Sequence, residues 1–132
     1  MTGAAVAHHT LFDMSGPWAV VFYHDSRGRE PVRAWPDELA ARSPSEYGAV
    51  RHHLDLLEDF GVYLEEPYTR QLSGKLRELR PGPWRITYFA DPERRMVLLT
   101  SSRKRGRRTD RRDIDRAMRL MRDWLRGMEE ER

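Results

Sequence analysis

Two short runs of alternating apolar residues, Trp84-Arg85-Ile86-Thr87-Tyr88-Phe89 and Met96-Val97-Leu98-Leu99, are bounded by turn clusters at Pro81-Gly82-Pro83 and Asp91-Pro92-Glu93. Alternation with period two is the mark of a strand, and Pro and Gly at such close joints leave room only for hairpins. With a further strand at about Lys75–Arg80, the stretch reads as consecutive antiparallel strands. The same stretch holds most of the positive charge. Fourteen of the 24 Lys and Arg residues fall between Arg70 and Arg112, against four acids, a formal +10. Residues 1–69 carry −6 and residues 113–132 carry −1, so the overall +3 conceals a polarised molecule. A disordered basic tail would not keep such alternation, so the charge is expected on a folded sheet. Focused positive potential on a rigid surface suits a polyanion, RNA or DNA first. The alternative is a solvated arginine-rich surface with no partner.

A chain of 132 residues suits one domain with a real core. It has no cysteine, which excludes disulfides, iron–sulfur clusters and thiolate zinc sites. No His/Asp/Glu grouping has metal-ligand spacing and no Gly-rich loop precedes a helix in phosphate-binding form, so no metal and no cofactor are expected. No apolar run approaches the roughly 18 residues that span a membrane. Residues 1–15 lack the basic start and apolar centre of an export signal and read as a disordered N-terminal tail, with a single domain over 16–132 and a cytoplasmic location.

Trp18-Ala-Val-Val-Phe-Tyr23 reads as a strand buried on both faces. A first helix is expected from about Pro31 to Ala41, with Val32, Trp35 and Leu39 on one side and Pro36 as a kink or stop. Ser43-Pro44-Ser45-Glu46 has the form of a capping box, opening a helix with Tyr47, Val50, Leu54 and Leu57 at helical spacing and Gly61 as its stop. Glu65–Tyr68 reads as a loop. Thr109-Asp110 caps a last helix whose broad apolar stripe (Ile114, Ala117, Met118, Met121, Trp124, Leu125, Met128) is either core or a docking face. The order is β-α-α-β-β-β-α: an α+β fold with helices packed on one face of a mainly antiparallel sheet.

Several of these segments carry a family likeness. Leu76-Arg-Glu-Leu-Arg80, Trp84-Arg85-Ile-Thr-Tyr88, Val97-Leu-Leu99, the cluster Arg103-Lys-Arg105, and Asp113-Ile114 with Ala117 follow one another at family spacing. Phe22-Tyr23, Gly28-Arg29, Pro31-Val32, Leu54, Leu57, Phe60-Gly61 and Pro67 add a looser match. From about Trp18 to Trp124 the chain resembles the RelE/HigB/ParE toxin superfamily, most closely its phage-derived, HigB-like branch. The resemblance implies a RelE-like fold. It also implies a toxin that cuts mRNA on the ribosome and is silenced by a cognate antitoxin with a helix-turn-helix domain. The ParE-like branch keeps the fold but inhibits gyrase, so the rival is a non-enzymatic homologue, either a gyrase inhibitor or a catalytically dead RNA binder.

Metal-free RNA cleavage needs a base for the 2′-hydroxyl, neutralisation of charge on the phosphate, and a proton for the leaving 5′-oxygen. Arg80 and Arg85 match the family's motif arginines and suit the phosphate role, because a guanidinium meets two oxygens at once. Lys104 and Arg105, in the basic cluster, complete the expected catalytic set. Lys75, Arg77, Tyr88, Arg103, Arg107 and Arg108 are the expected RNA contacts. Lys75 and Lys104 are the only lysines, the cations whose proton is most easily lost when crowded. Tyr88 either offers a ring for a base to stack on or lies in the core. Arg85 alternatively pairs with Glu78. Relatives carry His and then Phe where this chain has Thr100 and Ser102, and no histidine follows His53.

Overall fold

A computed structural model describes residues 17–131; the expected tail over 1–15 lies outside them. The four segments read as strands become β1 (Ala19–Phe22), β3 (Leu76–Leu79), β4 (Trp84–Ala90) and β5 (Arg95–Arg103). A fifth strand, β2 (Thr69–Ser73), forms from a segment with no apolar alternation. Its sequence, Thr-Arg-Gln-Leu-Ser, is polar because β2 lies at the sheet edge and exposes most of its side chains. The spatial order is β1-β5-β4-β3-β2, antiparallel throughout except that β1 runs parallel to β5. Three α-helices, α1 (Trp35–Arg42), α2 (Pro44–Phe60) and α3 (Arg111–Glu130), and a 3-10 turn over Gly61–Tyr63 complete the described residues. The order β-α-α-β-β-β-β-α is that of a RelE-like α+β fold.

The helices do not share one face, as the sequence pattern suggested. Val20, Phe22, Ile86, Tyr88, Met96 and Leu98 pack with Leu39 of α1 and with Val50, Leu54 and Leu57 of α2. Val21, Phe89, Val97 and Leu99 pack with Ala117, Met121, Trp124 and Met128 of α3. The central strands are apolar on both sides, and each side needs a cover. The broad stripe of the last helix is therefore core. Each of its large side chains removed from water contributes roughly 1.5–3 kcal/mol.

Local signals account for most helix ends. Pro36 falls in the first turn of α1, where its missing N–H costs nothing, so it starts the helix rather than kinking it. Gly61 closes α2 at φ +51° and lies against the Trp18 indole, where a side chain would collide with the ring. Asp110 caps α3, its carboxylate accepting from the N–H of Arg112 at 2.9 Å. The expected capping box of α2 is not closed: Ser43 occupies the N-cap position without a side-chain bond. Glu46 reaches instead to the sheet, accepting from Trp84 Nε1 at 2.9 Å and from Arg103 at 3.0 Å.

Candidate functional site

Antiparallel pairing brings the C-terminal ends of β3 and β5 beside the N-terminal end of β4. Thr87 pairs with Glu78 on one side and Thr100 on the other, and Arg85 pairs with Ser102. A bulge between Thr87 and Tyr88 skips Leu99, which has no partner in the ladder. The strand ends, the loop after β5 and the start of α3 then frame a narrow cleft. It is lined by Arg85, Ser102, the run Arg103–Arg108, Thr109, Asp110 and Asp113.

Arg85 is half-buried and donates to the carbonyls of Gly82 (2.9 Å) and Trp84 (2.6 Å), not to Glu78. Burial and the neighbouring Arg80 pull its pKa below the usual value, while Glu78 opposes them. Arg80 follows β3 directly. Its N–H donates to the Tyr68 carbonyl at 3.1 Å, and its Nε is shielded from solvent with no hydrogen-bond partner. Two neighbouring guanidiniums, one with an unpartnered Nε, suit the non-bridging oxygens of a phosphate.

The loop after β5 is tied at both ends. At its start the Lys104 N–H donates to the Pro83 carbonyl at 2.7 Å. At its end the Thr109 hydroxyl donates to Glu78, at 2.6 Å, a carboxylate only 1% exposed. Between these ties Arg105 meets Asp113 at 3.6 Å, while Lys104, Arg107 and Arg108 stand exposed with no carboxylate in ion-pair reach among the described residues. Arg103 is engaged elsewhere, bridging to Glu46 and lying over the Trp84 ring at 5.2 Å. Hydrogen bonds from Trp84 and Arg103, in that order, hold the Glu46 carboxyl below the ordinary range.

The expected site residues therefore separate into two groups. Arg85, Lys104, Arg105, Arg107 and Arg108 line the cleft, with Arg103 at its border, and Arg80 adds a positive charge near Arg85 from the end of β3. Lys75, Arg77 and Tyr88 line a different pocket, toward the opposite end of β3 and β4. Tyr88 gives no face for stacking. It alternates with Ile86 into the α2-side core, is 2% exposed, and its hydroxyl shares a 2.6 Å hydrogen bond with Thr69. Burial raises its pKa.

The position where relatives carry His is also closed. The hydroxyls of Thr100 and Thr87 are bonded to each other at 2.6 Å inside the sheet, and the Thr87 hydroxyl accepts the Thr100 N–H. His52 and His53 stay on α2, packed edge-on against Tyr68, and neither lines the cleft. Sequence reasoning missed the Thr109–Glu78 tie. Nothing local marks a contact between residues 31 positions apart.

A RelE-like sheet with a cationic cleft at one end defines a toxin-fold protein. The phage-derived Gp49-like protein family, a toxin family of the RelE/HigB type, matches residues 37–122, and the chain belongs to it. It is also similar to an uncharacterised protein of Aquifex aeolicus, 24% identical over 101 residues, which is 76% of this chain and 67% of that one.

Proposed function

We propose that this protein is the toxin of a type II toxin–antitoxin pair and acts as a metal-independent endoribonuclease on mRNA in the ribosome. The carrying observation is the cationic cleft, where half-buried Arg85 stands with exposed Lys104, Arg107 and Arg108 and has Arg80 as a cationic neighbour. In this reading the 2′-oxygen of the substrate attacks the adjacent phosphorus. The bond to the 5′-oxygen breaks, a 2′,3′-cyclic phosphate forms, and the 5′-oxygen takes a proton. Arg80 and Arg85 hold the phosphate oxygens as charge builds on them. Lys104, the one lysine lining the cleft, is the base in this reading, its amine taking the 2′-hydroxyl proton. Arg105 and the exposed arginines bind the flanking backbone.

One observation favours a non-enzymatic reading, gyrase inhibition or RNA binding without cleavage: the cleft contains no histidine, and the Thr100 hydroxyl is engaged within the sheet. Mapping of cellular RNA 5′ ends after brief induction separates the two. New ends within codons, lost with Arg80→Ala, support the nuclease. Removing one charge-assisted contact to the transition state costs roughly 3 kcal/mol, a rate factor of about a hundred. Growth arrest without new RNA ends would leave the non-enzymatic reading standing. Undiminished cleavage by both Arg80→Ala and Arg85→Ala would remove the clamp.

A further inference from the structure

Residues 113–132 carry a formal −1, so composition gives no sign of a cationic surface on the last helix. The folded helix separates its charges. Asp113 meets Arg105 at 3.6 Å and Asp115 meets Arg111 at 3.2 Å. Asp123 accepts from the Tyr23 hydroxyl at 2.5 Å and meets Arg126 at 3.1 Å. The remaining acids, Glu129, Glu130 and Glu131, stand at the C-terminal end. Arg112, Arg116, Arg119 and Arg122 are all exposed, with no carboxylate in ion-pair reach among the described residues. Helical spacing puts them on the side away from Ala117, Met121 and Trp124, which face the sheet.

The row ends in a recess. A pocket of about 270 Å³ opens between α3 and the end of β2, lined by Arg111, Arg119, Arg122 and Ser73, with Ile114 and Met118 against the core. Its one carboxylate, Asp115, already holds Arg111. Arg119 and Arg122 are left to take an anion, and two guanidiniums suit the oxygens of a phosphate. Asp110 lines the cationic cleft, and Arg122 lies twelve residues further on, about 18 Å of helix. Arg112 and Arg116 span the interval. The exposed Lys104, Arg107 and Arg108 of the cleft thus continue into a row of cations along α3.

We propose that the RNA strand held in the cleft continues across α3, over Arg112 and Arg116, and seats a flanking phosphate in the recess at Arg119 and Arg122. That the strand is a cleavage substrate rests on the nuclease reading; the cationic row and its recess do not. A phosphate carries no base identity, so this contact adds affinity and register without sequence preference.

The test uses the full chain and two fluorescent 2′-O-methyl RNAs of about four and about twelve nucleotides, whose blocked 2′-oxygen prevents cleavage. Anisotropy is read across a salt series. The longer RNA should bind at least about tenfold tighter, with the steeper salt dependence. In Arg119→Gln/Arg122→Gln the slope of log affinity against log salt for the longer RNA should fall by roughly 1.4, about 0.7 for each lost contact. The shorter RNA should bind that variant as it binds the wild type. Arg119→Lys/Arg122→Lys should keep the slope. Both positions are exposed, so the variants keep the fold, and thermal melting checks them. Equal affinity for the two lengths, an unchanged slope in the Gln variant, or loss of the shorter RNA with it would each overturn the proposal. Tighter binding of polyglutamate, or of DNA of the same length, would do so too. RNA 5′ ends are mapped separately. New ends with no change of slope end this proposal and leave the nuclease; a change of slope without new ends leaves the strand path and ends the nuclease reading.

Discussion

Thr109→Val removes one hydroxyl and changes almost nothing in shape. In the native protein that hydroxyl donates to Glu78 at 2.6 Å, and it is the side-chain hydrogen bond that this carboxylate receives among the described residues. Glu78 is 1% exposed, so water cannot replace the lost donor. A hydrogen bond to a charged group contributes about 1.5–3 kcal/mol, and the partly buried setting argues for about 2. At roughly 4 °C per kcal/mol for a domain of this size, the variant should melt about 8 °C lower by circular dichroism. Thr109→Ser keeps the donor and should recover most of the loss. In Glu78→Gln the amide oxygen still accepts from Thr109, but Arg85 loses its nearby anion, so that variant isolates the charge from the bond. A Thr109→Val midpoint within about 2 °C of wild type would refute the view that this tie anchors the cationic loop.

Two further outcomes follow from the packing. Gly61→Ala should destabilise by about 2 kcal/mol or more in urea unfolding, because the new Cβ meets the Trp18 ring at a residue with positive φ. Burial is the main cause that holds the His53 imidazole below its ordinary value of 6.5, with His52 adding to it and the Ala49 carbonyl opposing. The unfolded chain therefore takes up this proton first as the pH falls. The contribution is complete above pH 6.5 and is lost as the pH drops from there through the folded pKa. Melting temperatures should fall between about pH 7 and 5, and His53→Gln should flatten that slope.

Much of the fold was legible because its signals are periodic. β4, β5 and β1 appear as runs with period two or as continuous apolar stretches, and α3 as an unbroken stripe. β2 was not legible, since an edge strand buries little and its Thr-Arg-Gln-Leu-Ser sequence has no apolar face to read. The single-face arrangement failed because Val20 and Val21, or Leu98 and Leu99, are equally apolar but point into different cores. The capping box failed because Glu46 had two better partners in the sheet, which no local motif reveals. In the site, the meeting of Arg80, Arg85 and the loop after β5 followed from hairpin geometry. The departure of Arg77 and Tyr88 to another pocket followed from the same alternation, which the family motif alone does not convey.

The parallel pairing of β1 with β5 has a consequence for how the molecule is made. Ala19 lies opposite Arg95, so the first strand synthesised must wait for the last before it finds its place. The meander from β2 to β5 can form from near neighbours, but it leaves Met96, Val97 and Leu98 along an open border until β1 arrives. During that interval a nascent chain has an adhesive strand exposed, and a second copy's β1 could fill the gap as well as its own. Closure by the chain's own β1 is what removes that open border.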